Sequence, residues 1–152
     1  MIAPAIRPSP PMAKPDPALL DPERYRRTVT IATRYADLDT NRHVNNIALG
    51  AMFEDARVRF QIDLADDGAM RSFMVASFSI EYLSQAHYPA PIMFHSAVIA
   101  HGRTSITLLQ LAVQEGTAVA LGTSVMVLTD GTRPIPLPES WPARLAGLGL
   151  LP

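Results

Sequence analysis

The sequence predicts an α+β domain, a five-stranded antiparallel sheet wrapped around one long central helix. Between Asn46 and about Ala65 the apolar residues recur at helical spacing. Four β-rich runs joined by short, Gly-containing turns follow. A single Thr/Val/Ile-rich run ahead of the helix supplies the fifth strand.

Proline frames the domain. Of 14 prolines, seven lie at or before Pro22 and five at or after Pro134. Residues 1–22 therefore read as an extended, mobile tail with little means of packing. Residues 23–138 form the domain, and 139–152 form a C-terminal extension with a candidate short helix over 139–148.

The first strand is read over Arg26–Tyr35. In the helix, Leu49, Met52, Phe53, Ala56, Phe60 and Leu64 make one apolar stripe. Glu54, Arg57 and Gln61 occupy another face, and Asp55 stands i,i+4 to Arg59. Asn45 or Asn46 is the expected N-cap, and Asp63 to Gly68 the stop, for a length of roughly 27 Å. Strands are then read over 73–83, 92–100, 105–113 and 118–128. The turns His101-Gly-Arg-Thr104 and Gln114-Glu-Gly-Thr117 make the last three antiparallel hairpins.

A helix with one apolar stripe, set among antiparallel strands, has to cross one face of the sheet. The small residues Ala48, Gly50, Ala51 and Ala56 are expected to let it approach closely. An open sheet leaves edges that need protection, and pairing with a second copy provides it, so a homodimer is expected.

The helix begins where an unusual stretch ends. Arg34-Tyr-Ala-Asp-Leu-Asp-Thr-Asn-Arg-His-Val-Asn-Asn46 packs two carboxylates, one imidazole and three carboxamides into thirteen residues. A helix N-terminus offers unpaired N–H groups and partial positive charge to a developing oxyanion. A carboxylate just upstream can serve as base or nucleophile towards the same bound group. This is the outline of an acyl-transfer site.

Composition removes competing classes. A formal charge of −1 gives no basic field for nucleic acid. The absence of cysteine excludes disulfides, thiolate metal sites and a cysteine nucleophile. His87, His95 and His101 are scattered without ligand-like spacing, so neither a metal nor another cofactor is expected. No apolar run reaches the ~18 residues of a membrane span, and the N-terminus lacks a secretory apolar core, so a cytoplasmic protein is the default.

The order of elements and the run Asp-x-Asp-x-x-x-His-Val-Asn-Asn resemble hotdog-fold thioesterases of the 4-hydroxybenzoyl-CoA thioesterase type, most closely the acyl-CoA and acyl-ACP thioesterases with His-Val-Asn-Asn. The similarity runs from about Arg27 to Pro138 and includes Phe53-Glu-Asp-Ala-Arg57, Ile80-Glu-Tyr-Leu83 and Val125-Met-Val-Leu128. It implies an acyl-CoA substrate bound at the interface of a homodimer or dimer of dimers. It also implies that Asp39 is the catalytic carboxylate, that His43 and Asn45 orient it or a water, and that amides at Asn46 and Ile47 supply part of the oxyanion hole. Glu54 is a further catalytic candidate, corresponding to a recurring position on the central helix that can face the partner's site, and Asp37 is read as scaffolding.

Three residues depart from that pattern. Arg42 stands where relatives often carry glycine, and is strained if the position needs positive φ. It is also a candidate coenzyme-phosphate contact, as is Arg103, for which an exposed turn arginine is the plainer account. Leu49 replaces a frequent tyrosine, and Ala90 a glycine or acidic residue. Two alternatives share the fold: a non-catalytic acyl-CoA-binding protein, and an enoyl-CoA hydratase. For the hydratase, Asp39-Thr-Asn41-Arg-His43 is one residue short of the usual spacing and lacks its proline.

Overall fold

A computed structural model describes residues 13–65 and 71–152. Residues 1–12 of the predicted tail and 66–68 of the predicted helix stop lie outside them. The elements are β1 (Arg27–Ile31), α1 (Asn46–Leu64), β2 (Ser72–Tyr82), β3 (Ile92–His101), β4 (Ser105–Gln114), β5 (Thr117–Thr129) and α2 (Trp141–Ala146). The strands form one antiparallel sheet in the order β1-β3-β4-β5-β2. β1 and β2 are therefore opposite edges, and the chain between them carries α1 across the sheet. This is the hotdog arrangement.

Local chemistry sets the connections. Gln114 pairs with Thr117 across a two-residue turn whose Glu115 (φ 49°) and Gly116 (φ 78°) are both left-handed, the twist a tight hairpin requires. All six residues of the apolar stripe are buried. Phe53 sits in a cluster with Ile92, Phe94, Ala112 and Ala120, while Phe60 and Leu64 pack with Ile106, Leu108 and Met126.

Close approach of α1 rests only in part on the small residues expected to allow it: Ala56 is buried in the core and Ala48 packs against it. Gly50 faces open space and Ala51 is exposed. Further room is made on the sheet, at Gly122 of β5, where the Phe53 ring lies. Arg57, on the face of α1 shared with Glu54 and Gln61, is buried at 5% exposure. Its guanidinium donates to Ser124 Oγ at 3.1 Å and lies 5.0 Å from the centre of the Phe78 ring. Burial lowers its pKa, opposed by the charge of Glu54, and no carboxylate among the described residues lies within ion-pair distance of it.

The other face of the sheet is covered by the chain's ends. The segment from Pro17 forms two 3-10 turns (Pro17–Leu20 and Pro22–Arg24) rather than an extended tail. Leu19, Leu20, Tyr25 and Leu150 pack on Ala97, Leu109, Leu111 and Leu121. Leu151 N donates to Arg24 O at 2.7 Å and Arg24 Nε to Leu151 O at 2.8 Å, tying the two ends together. β4 is consequently buried on both faces. β2 is the reverse: Met74, Val75, Phe78 and Tyr82 are all exposed along a free edge. No helix among the described residues is long and apolar enough to cross a membrane.

Candidate active site

The polar stretch has two parts. Arg34–Asp37 is the first: Asp37 accepts from Arg34 N at 2.8 Å and from the Arg34 guanidinium at 2.7 Å. These bonds hold the Asp37 carboxyl below the usual carboxylate range. Asp37 is buried and its carbonyl accepts from Asn45 N, the scaffolding role expected of it.

A small hairpin follows, bridged at Leu38 and Val44. Arg42 N donates to Asp39 O at 3.0 Å, and Asp39 N to His43 O at 2.9 Å. Oδ1 of Asp39 accepts from Asn41 N at 2.8 Å and His43 N at 3.1 Å. The carboxylate therefore organises its own loop through one oxygen, and the other makes no hydrogen bond among the described residues. Arg42 has φ 62°, the left-handed conformation that favours glycine.

Asn45 is the N-cap of α1, its Oδ1 accepting from Ala48 N at 2.7 Å. The amides of Asn46 and Ile47 stand ahead of that capped position and donate to no described atom. Val44 N donates to Ala86 O at 2.8 Å, which docks the hairpin on the β2–β3 connection. Between them opens a pocket of about 330 Å³ lined by Asp39, Asn41, His43, Asn46, Leu49 and Tyr82, among others.

Asp39, His43 and Asn46 are thus brought together. Asn45 is committed to capping, and the Ile47 side chain projects outward at 87% exposure. Arg42 lies in the loop without lining the pocket. Glu54 lies two turns along α1, exposed and outside the pocket. The structure does not bring Arg103 to the site within one chain. It sits in the β3–β4 turn, whereas the pocket adjoins the opposite end of those ten-residue strands, roughly 30 Å away.

Two residues escaped sequence reasoning. The His87 ring meets that of His43 edge-on, with centres 5.0 Å apart. The buried Gln114 holds the His87 segment, accepting from His87 N at 2.8 Å and donating to His87 O and Ala90 O at 2.7 Å. A polar, proline-rich loop was visible in His87-Tyr-Pro-Ala-Pro91, but its partner was not.

Residues 33–145 match the thioesterase-like superfamily, most of the chain and all of this site. The chain belongs to that superfamily. Its chemistry is that of a thioester hydrolase. A Thermus thermophilus thioesterase solved with coenzyme A and Zn is 29% identical, over 80% of this chain and 98% of its own, with TM-score 0.72. A predicted thioesterase from Bacillus stearothermophilus is 26% identical over 82% and 97%, with TM-score 0.71. A Staphylococcus aureus DHNA-CoA thioesterase, 19% identical over 77% and 84% with TM-score 0.66, shares the fold. No protein of curated function matches this thioesterase-like chain. Among its described residues, no three His, Asp or Glu side chains gather as a metal site would require.

Proposed function

We propose that the protein is an acyl-CoA thioesterase of the His-Val-Asn-Asn group, with Asp39 as base or nucleophile. One observation carries this reading: Asp39 and Asn46 line the same pocket at the N-terminus of a 19-residue helix. Coenzyme A bound in the Thermus thermophilus relative supports it as the carrier.

The free oxygen of Asp39 takes a proton from water as the water oxygen adds to the thioester carbonyl. The amides of Asn46 and Ile47 hold the resulting oxyanion, with Asn45 keeping the helix start in place. Collapse breaks the C–S bond and expels the coenzyme thiolate, which recovers the proton. Thiols of this kind have pKa ~8.5, so departure needs little acid assistance. As nucleophile, the same oxygen would form an anhydride that water then opens. His43 orients the attacking group.

The working form is a homodimer. Its support is the free edge of the eleven-residue β2 with its exposed Val75, Phe78 and Tyr82, a surface that in isolation invites pairing. Glu54 and Arg103, outside their own chain's pocket, would act only towards another subunit's site.

Thiol release from a panel of acyl-CoAs, compared between wild type and Asp39→Asn, tests the proposal. Hydrolysis by wild type and its loss in the variant is expected. Acyl-CoA binding without hydrolysis would make the protein a binding module, and hydration of an enoyl-CoA would make it a hydratase.

A further inference from the structure

Glu54 and Arg57 stand one turn apart on the side of α1 that borders β2, with Gly50 and Gln61 on the same side. Arg57 meets Phe78 of β2 and Ser124 of β5, and Gln61 Nε2 lies 3.1 Å from Met126 Sδ of β5. On the opposite side, towards β1, Asp55 and Arg59 pair with each other at 2.9 Å. The β2 side has no such pair. Glu54 is exposed and makes no hydrogen bond or ion pair among the described residues. Arg57 Nε and Nη2 also lack partners there, yet unlike His95 Nε2 they are not sealed from the surface.

We propose that α1 and the β2 edge dock on those of a second copy, Glu54 of each protomer pairing with the partner's Arg57. The inference rests on the homodimer reading above and names the contact that fixes its register. A two-fold axis perpendicular to α1 runs the two helices antiparallel. An acid-x-x-base face is then its own complement, whereas parallel helices would set like charges together. The same register sets Gly50, where an added β-carbon would meet nothing within 4 Å, against the partner's Gln61, because both pairs share one midpoint on the helix. The strand edge agrees. The Phe78 ring lies between that of Phe53, centres 5.8 Å apart, and the Arg57 guanidinium at 5.0 Å. The midpoint therefore falls beside Phe78, and one axis joins both the helices and the exposed Phe78 edges. Covering that surface removes the water left around Arg57, and a cation so placed requires a carboxylate.

Sedimentation of full-length protein tests this. Wild type is expected to be a dimer. Glu54→Arg, at an exposed position, faces the partner's Arg57 and should raise the dimer dissociation constant at least about 100-fold. Arg57→Glu should do the same. Mixing the two variants should restore a dimer, because both contacts between unlike protomers are then acid to base. Gly50→Phe, unhindered in the single chain, should also dissociate the dimer while circular dichroism shows the helix intact. It decides alone if Arg57→Glu does not fold. A wild-type dimer that either Glu54→Arg or Gly50→Phe leaves intact, or folded charge variants that stay monomeric when mixed, overturns the pairing while the homodimer stands. A monomeric wild type overturns both, and thioester hydrolysis is read separately.

Discussion

The Phe53 ring occupies the space that a β-carbon on Gly122 would need, its Cε1 2.7 Å from that position. The ring cannot swing aside, because it is fully buried and wedged edge-on against Phe94, centres 5.0 Å apart. Gly122→Ala should therefore lift α1 from the sheet at a cost of about 1–3 kcal/mol. Urea unfolding checks this: the midpoint should fall with the slope unchanged.

Asp39 has two separable roles. Asparagine keeps the oxygen that accepts from Asn41 N and His43 N, so Asp39→Asn should lose at least ~100-fold in thioester hydrolysis with little change in stability. Asp39→Ala loses the loop bonds as well, and should also unfold about 0.5–1.5 kcal/mol more easily. Equal destabilisation by both variants would argue that the carboxylate's charge, not its hydrogen bonding, holds the loop.

Arg42→Gly should stabilise the protein. A side chain at φ 62° costs roughly 1–2 kcal/mol, of which glycine's greater freedom when unfolded returns about half. A melting temperature raised by about 2 °C is the expected result.

His95 makes folding acid-sensitive. Its Nδ1 meets Thr28 Oγ1 at 2.9 Å, its Nε2 is buried without a partner among the described residues, and the Tyr25 ring packs against it tilted, centres 6.2 Å apart. Burial pushes its pKa down, opposed by the charge of Glu23. The neutral ring is thus favoured on folding. Its contribution is complete above the unfolded pKa of ~6.5 and is lost as pH falls towards the depressed folded value. Wild-type stability should decline below about pH 6.5, more steeply than that of His95→Gln, as denaturation midpoints across pH would show.

Gln114→Leu removes three hydrogen bonds to the backbone at His87 and Ala90. A loss of about 2–3 kcal/mol is expected. Since that segment seats His87 against His43, kcat should fall as well; a variant weakened in stability alone would place His87 outside the reaction.

Much of this was readable beforehand. The stripe from Leu49 to Leu64 is buried as its spacing required, and element bounds differ from expectation mainly at β1, which ends at Ile31 because Tyr35–Asp37 turns to form the Asp37 scaffold. The burial of Arg57 was not legible because periodicity reports which residues share a face, not whether a neighbouring strand covers it. His43 and His87 are separated by a helix and a strand, so no spacing rule links them. Residues 1–22 read as having little means of packing because of their prolines, yet Leu19 and Leu20 find a sheet face that only the folded order of strands creates.

The sequence by itself determined the class of fold, the helix and its inward stripe, and a carboxylate-bearing loop at the helix start, because each is set by neighbours along the chain. Tertiary structure decided what those pieces meet. Gly122 admits Phe53, Gln114 places His87 beside His43, and the N-terminal turns wall a groove beside Tyr82. These relations depend on strand order and register, which bring together residues whose separation in the chain carries no local signal.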